Sequence, residues 1–387
     1  MRWGGEGAGS RKGFGRLQHG RRGSFVSLAS GFLALWIGAL TPVMASADAS
    51  AIGIRVLLLD NVSSVVVDGR ARRGSARFAA PGPHEVDGRR VHGSVELSRD
   101  SGGLRVVNEL ALEDYVAGTL LGEVSEGFGD VVLRAQAIAI RTYALHRRAH
   151  PRSPDFDVEA NTAAQVYLGV DGETPAALDA ARATRGQILT FAGEPILAVF
   201  HSAAGGRTAT AAEVWGRDVP YLVSVGVPGE EDSPDMYWRA PVSAEELASA
   251  LAAAGRDVGR VRDVRVARRT PSGRSAELRV QGSDGDVEVS GETLRRVLGP
   301  TRLRSTLFEV RRTADGFVFV GSGNGHGVGM SQWGARALSR SGANPQQILA
   351  RFYPGARVER ISSRTVFAPR AASALAARAT ADVGASQ

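Results

Sequence analysis

Near its C-terminal end the chain reads Gly323-Asn324-Gly325-His326-Gly327-Val328-Gly329-Met330-Ser331-Gln332-Trp333-Gly334-Ala335. One imidazole, one hydroxyl, two amides and one indole stand on a backbone broken by glycine at 323, 325, 327 and 329. Glycine permits positive φ and close approach of the main chain to a neighbour. The pattern therefore predicts a loop shaped around a polar, ring-shaped ligand and not a plain linker. A second imidazole, His201, sits beside Ser202 in Phe200-His201-Ser202-Ala203-Ala204-Gly205-Gly206-Arg207-Thr208. No Gly-x-Ser-x-Gly elbow surrounds Ser202, which argues against a serine hydrolase. His201, His326 and Glu123 would make a His/His/Glu zinc set, but no His-Glu-x-x-His spacing occurs. The imidazoles are read instead as orienting ligand hydroxyls or fixing loops. Trp215, Tyr221, Trp238 and Trp333 are the rings available for stacking on a ligand, with at least two of them expected in the core.

The motif ending Gly-Met-Ser-Gln-Trp-Gly-Ala resembles the C-terminal signature of the SpoIID/LytB family (stage II sporulation protein D and amidase enhancer proteins). Three further segments match in the same order. They are Glu113-Asp114-Tyr115-Val116-Ala117-Gly118 running into Gly122-Glu123, then Leu133 to Leu145 (reading Leu-Arg-Ala-Gln-Ala-Ile-Ala-Ile-Arg-Thr-Tyr-Ala-Leu), and the Phe200–Thr208 segment. Together they span about residues 104–361.

The resemblance implies an exported peptidoglycan lytic transglycosylase. Such an enzyme cleaves the bond between muramic acid and glucosamine units of peptide-stripped glycan and leaves 1,6-anhydro-MurNAc ends. The family's catalytic glutamate falls on Glu123. One such carboxyl protonates the leaving oxygen, then takes the proton of the muramic acid C6 hydroxyl, and no water is consumed. A proton donor must be held neutral, for which Leu120, Leu121, Val124 and Phe128 are the expected apolar surroundings. Here Glu123-Val124-Ser125 stands where the family pattern is Glu-Met-Pro. Glu126 and Asp130 are read as surface and capping groups. Arg141 is a candidate for a lactyl carboxylate or for an internal acid. The expected substrate-binding residues are Arg141, Tyr143, His201, Ser202, His326, Ser331, Gln332 and Trp333. Glycan strands and an amidase are the expected partners, and no cofactor or metal is expected. The alternatives are a non-catalytic glycan-binding enhancer of an N-acetylmuramoyl-L-alanine amidase, and a hydrolase of another envelope polymer.

The elements that must position these groups follow from periodicity. Ile52–Leu59 and Val62–Val67 read as a strand pair, continued by Val91–Leu97 and Leu104–Leu110, with Arg70–Gly88 as loops. From Leu112 the spacing turns helical, ending near Gly122–Glu123, and Asp130 is expected to cap a second helix. Pro175–Arg185 has Thr174 as cap and Pro at its first turn. Ile188–Phe191 and Ile196–Phe200 read as a hairpin, and Ser243–Ala254 as a helix. Strands are expected at Val261–Arg268, Glu277–Gln281, Val287–Ser290 and Phe308–Arg312, and helices at Ser331–Arg340 and Pro345–Phe352. The fold class is α+β, mixed strands and helices around a glycan-binding cleft. Residues 48–110 form a small β region, 111–361 the catalytic domain, and 362–387 an Ala-rich disordered tail.

Residues 1–47 look like a cleavable export signal: arginines, an apolar run from Phe25 to Leu40, then Ala45-Ser46-Ala47. The run attaches the protein to a membrane only if it stays uncleaved. The net charge of +7 belongs mostly to this leader, whose six basic groups face one acid. Without them 41 basic and 39 acidic groups remain, which removes the main support for a nucleic-acid partner. With no cysteine the chain has no disulfide, no thiol nucleophile, no thiolate metal site and no lipid-bearing cysteine. The cysteine metal ligands of some family members have no counterpart here.

Overall fold

The alternating apolar stretch that begins at Ile52 becomes the strand Gly53–Val62, with Ile54 and Val56 fully buried. In the computed structural model, residues 52–361 are described apart from 80, 162 and 163. The expected leader, residues 1–47, and the expected Ala-rich disordered tail, residues 362–387, lie outside the described residues. Contrary to the expectation from the sequence, Gly53–Val62 does not pair with the next apolar run. It pairs antiparallel with Leu104–Ala111, from Gly53 opposite Ala111. Ser94–Arg99, Ala76–Phe78 and Val158–Glu159 complete a five-stranded sheet.

Val65–Val67 belongs to a second sheet with Arg70–Arg72, His84–Val86 and Arg89–Val91. Much of the segment expected as loops is thus short hairpins. Val67 pairs with Arg70 across Asp68-Gly69, and Val86 pairs with Arg89 across Asp87-Gly88. Both residues of each turn have positive φ, the geometry that Asp-Gly favours in two-residue hairpins.

Eight α-helices occur among the described residues: α1 (Leu112–Glu123), α2 (Asp130–Ala149), α3 (Pro175–Ala183), α4 (Ala211–Trp215), α5 (Ala244–Ala253), α6 (Gly291–Leu298), α7 (Gln332–Arg340) and α8 (Pro345–Phe352). Gly129, not Asp130, is the cap of α2; Asp130 lies in the first turn and pairs with Arg134 at 2.8 Å. Thr174 caps α3 as expected, accepting from the Ala177 N–H. The expected hairpin is shorter, since Gln187–Phe191 pairs only with Glu194–Pro195 and, on its other side, with Arg357–Arg360. No helix among the described residues is long and apolar enough to cross a membrane.

Two hydrophobic cores organise the described residues. The larger joins the N-terminal sheets to α1, α2, α3, α7 and α8. The smaller lies wholly within residues 238–319 and includes Trp238, Leu247, Leu278, Leu294 and Phe319. Its lobe holds α5, α6 and two three-stranded sheets, Trp238–Ser243/Gly316–Gly321/Phe308–Arg312 and Val261–Arg269/Ser275–Gly282/Asp286–Ser290. The last strand of that lobe ends at Gly321, where the glycine-rich loop begins.

Candidate functional site

Two distant motifs meet through a two-residue parallel ladder: Phe200 pairs with Met330 and His201 with Ser331. Ala203 and Asn324 exchange backbone bonds at 3.1 and 2.8 Å, and the Trp333 N–H donates to the Ser202 carbonyl at 3.0 Å. The glycine-rich loop is therefore wrapped around residues 200–203. Its four alternating glycines all have positive φ. What they approach is the protein itself. A Cβ on Gly325 would lie 2.7 Å from that of His201, and one on Gly327 would lie 2.2 Å from the Arg274 guanidinium. This corrects the expectation that the glycines make room for a ligand.

Beside the loop lies a cavity of about 890 Å³ whose wall includes Glu123, Tyr143, Leu197, Val199, His201, Ser202, Trp215, His326 and Gln332. Glu123 is the last residue of α1. Packing explains its setting. A Cβ on Gly122 would fall 2.0 Å from the Val166 carbonyl, so only glycine lets that segment lie against the helix end. The Val166 N–H is thereby delivered to Glu123 Oε1. The Gln332 side-chain amide donates to the Glu123 carbonyl at 2.9 Å, tying the glycine-rich motif to the end of α1. Desolvation raises the Glu123 carboxyl to about 7, against the lowering effect of the Val166 N–H. Its position at the negative end of the helix dipole works in the same direction as desolvation. Among the described residues no cation pairs with it. The turn that follows keeps an extended path, with Ser125 at φ −66° and ψ 137°. A proline would adopt that φ, so the backbone at Ser125 is one that proline also allows.

The two histidines are held differently by one residue. The Val328 N–H donates to His326 Nδ1 at 3.0 Å, so His326 Nε2 carries the proton and donates to the Phe200 carbonyl at 2.9 Å. Both ring nitrogens of His326 are spent on backbone. The Val328 carbonyl lies 3.1 Å from His201 Nδ1, which must therefore be the donor. His201 Nε2 is then an acceptor, and it has no partner. Burial first, then the neighbouring His326 and Arg274, hold His201 well below the usual imidazole range. Burial pushes His326 down to about 4.

Other expected site residues sit elsewhere. Arg141 is fully buried and bidentate to Glu113, at 3.0 and 2.7 Å, with the Gln187 and Ala181 carbonyls taking further N–H groups. It has no donor left for a ligand. Ser331 is buried, caps α7 by accepting from the Gly334 N–H, and donates to Glu230. His326 and Ser331 therefore hold the loop and do not reach a ligand through their polar atoms. Trp333 packs edge-on to Phe128 at 4.9 Å with Arg336 over its ring, and is not part of the cavity wall. Tyr143 and Ser202 do reach the cavity. Trp238 is core, its indole N–H donating to the Gly323 carbonyl, whereas Trp215 is 40% exposed at the cavity.

Two residues missed in the sequence hold the motifs together. Buried Glu230 accepts from the Ala204 and Gly206 N–H groups, each at 2.9 Å. Arg274, from a hairpin of the smaller lobe, donates to the Ala204 and Arg207 carbonyls at 3.0 and 3.1 Å. Glu230 belongs to an acidic run that looks solvated, and Arg274 is one arginine among many; neither carries a sequence signal. Arg152, Arg217 and Arg295 add positive charge to the cavity wall. Among the described residues no three His, Cys, Asp or Glu side chains gather as a metal set.

A family model described as stage II sporulation protein matches residues 100–191, and one for a domain of unknown function matches residues 215–329. An uncharacterised protein of Brachyspira hyodysenteriae is 31% identical over 70% of this chain and 72% of its own length. Stage II sporulation protein D of Bacillus subtilis is 30% identical over 65% of this chain and 75% of its own. The amidase enhancer of Bacillus subtilis is 27% identical over 62% of this chain, which spans 39% of that longer protein.

Proposed function

The chain belongs to the SpoIID/LytB family, and from that premise we propose that it is an exported cell-envelope protein that cleaves peptidoglycan glycan strands lytically. The bond broken joins muramic acid C1 to the O4 of the next glucosamine. The observation that carries this reading is Glu123: a carboxyl raised to about 7, unpaired by any cation among the described residues, on the wall of a large cavity. A donor poised near neutral pH is what general-acid cleavage requires. Protonated Glu123 gives its proton to the leaving oxygen while the C6 hydroxyl closes on C1, which produces the 1,6-anhydro end without water. Trp215 offers an exposed ring for stacking on a sugar. Arg152, Arg217 and Arg295, in place of Arg141, offer cations to the lactyl carboxylate that is free once the peptide has been removed.

A second reading is a glycan-binding partner of an amidase, favoured by the amidase enhancer relative. The two readings share the cavity and differ in the product. Purified protein incubated with intact and with peptide-stripped glycan, followed by mass analysis, decides between them. New anhydro-muramoyl ends from the stripped strands support the lytic reading. Retention of glycan with no new ends supports the binding partner.

A further inference from the structure

His201 is only 4% exposed, lies on the same cavity wall as Glu123, and keeps one ring nitrogen without a partner. An orphaned buried acceptor is costly and calls for a reason. His326, the other imidazole of the motif loops, has no such vacancy because Val328 and Phe200 occupy both its nitrogens. The contrast is built by the backbone: Val328 presents its carbonyl to His201 Nδ1, which fixes the tautomer and turns Nε2 into a lone pair.

We infer that His201 is the second proton-transfer group of the site, with its Nε2 taking the proton of the hydroxyl that attacks C1. The inference rests on the lytic reading above. In that step the C1–O4 bond breaks and C1–O6 forms. Glu123 supplies the proton that O4 gains, and His201, in place of the Glu123 carboxylate that the resemblance implies, receives the proton that O6 loses. The imidazolium then returns a proton to the Glu123 carboxylate through the cavity, restoring both groups. A weak base suffices, because the O6 proton becomes strongly acidic as the ether bond forms.

The groups facing His201 suit a ring that starts neutral. His326 lies 5.5 Å away between ring centres and Arg274 stands behind the loop. Across the cavity wall are Glu123 from α1, Tyr143 from α2, Arg295 from α6, and Arg152 and Arg217 from loops. Burial, His326 and Arg274 disfavour imidazolium, which keeps the lone pair available and favours return of the proton.

The test uses the full-length protein, peptide-stripped glycan, and the rate of anhydro-end formation against pH. His201→Asn keeps an N–H for the Val328 carbonyl and removes Nε2. Its turnover should fall at least about 100-fold, the lower end for one acid–base group. Wild type should show an alkaline limb from Glu123 and an acidic limb below the ordinary imidazole range. His201→Asn turnover within tenfold of wild type overturns the inference. So does a wild-type profile with no acidic limb, a measurement that stands even if the variant fails to fold. Activity lost to a chelator and restored by zinc overturns it too, since His201 would then be a metal ligand. If wild type makes no anhydro ends, the lytic reading itself fails. Active wild type, inactive Glu123→Gln and active His201→Asn would remove only His201.

Discussion

The two ends of α1 carry the same side chain in opposite circumstances, about 15 Å apart along the axis. At the first turn Glu113 faces the positive end of the helix dipole and receives a bidentate arginine, the Gly186 N–H included among its donors. At the last residue Glu123 meets the negative end, one backbone N–H and no cation among the described residues. The first glutamate is neutralised by a partner and serves the fold. The second is left to neutralise itself by taking up a proton, which is the property a proton donor needs. Identity of residue type says little here; the charge that packing brings alongside decides the role.

The largest test of this contrast removes the lone carboxyl. Glu123→Gln should lower glycan cleavage by about 10²–10⁴-fold with the fold intact. Activity within tenfold of wild type, in a variant with an unchanged circular dichroism spectrum, would take Glu123 out of the mechanism. At the other end, Arg141→Met strands a buried carboxylate and should cost about 3–5 kcal/mol in urea unfolding. Adding Glu113→Gln should recover much of that loss, because the stranded charge is gone. A double variant as unstable as Arg141→Met alone would show that Arg141 acts through its carbonyl contacts instead.

A third difference is read from stability against pH. Glu123 holds more protons folded than unfolded between its ordinary value of 4.5 and about 7. Its contribution is therefore fully present below the lower value and is lost as pH rises through the upper one, by about 3 kcal/mol in all. Wild type minus Glu123→Gln, followed by chemical denaturation between pH 4 and 8, isolates that slope. A flat difference would place the carboxyl in water. The smallest effect belongs to Trp215→Ala, which should raise KM about two- to tenfold, the value of one aromatic contact. An unchanged KM would leave Trp215 outside the binding surface.

Much of the architecture was legible in sequence because it follows short-range rules. Helix limits at α1, α3, α5 and α8 follow from apolar spacing and, at α3, from Thr174 as cap; the structure adds Ser243 and Asn344 as caps of α5 and α8. α6 also has a serine cap, Ser290, and was overlooked since its charged outer face masks Leu294. Asp68-Gly69 and Asp87-Gly88 are hairpin signals that a Gly, Pro and Arg-rich background obscured. The site was harder. Which nitrogen of His326 or His201 is free depends on the backbone of Val328, and no spacing reports that. Ser331 looks like a ligand hydroxyl until Glu230, far away in sequence, is seen to hold it. The smaller lobe has a core of its own, yet along the chain it is simply more strands and helices.

The ladder between Phe200–His201 and Met330–Ser331 has a bearing on how the chain assembles. The backbone of residue 202 and the hydroxyl of residue 331 meet across 129 positions, a long loop to close in an unfolded chain. Closure entropy grows only by about 0.6 kcal/mol per doubling of loop length, but the search slows as contacts become less local. The smaller lobe shortens that search. Its entry and exit are tied together where the Trp238 indole meets the Gly323 carbonyl and the Gly323 N–H meets the Asp235 carbonyl. Once this lobe has folded on its own core, the long intervening stretch becomes a short, stiff link. A chain emerging N-terminus first thus withholds the ladder until the lobe is complete, and α1 presents its terminal carboxyl before the opposite wall exists.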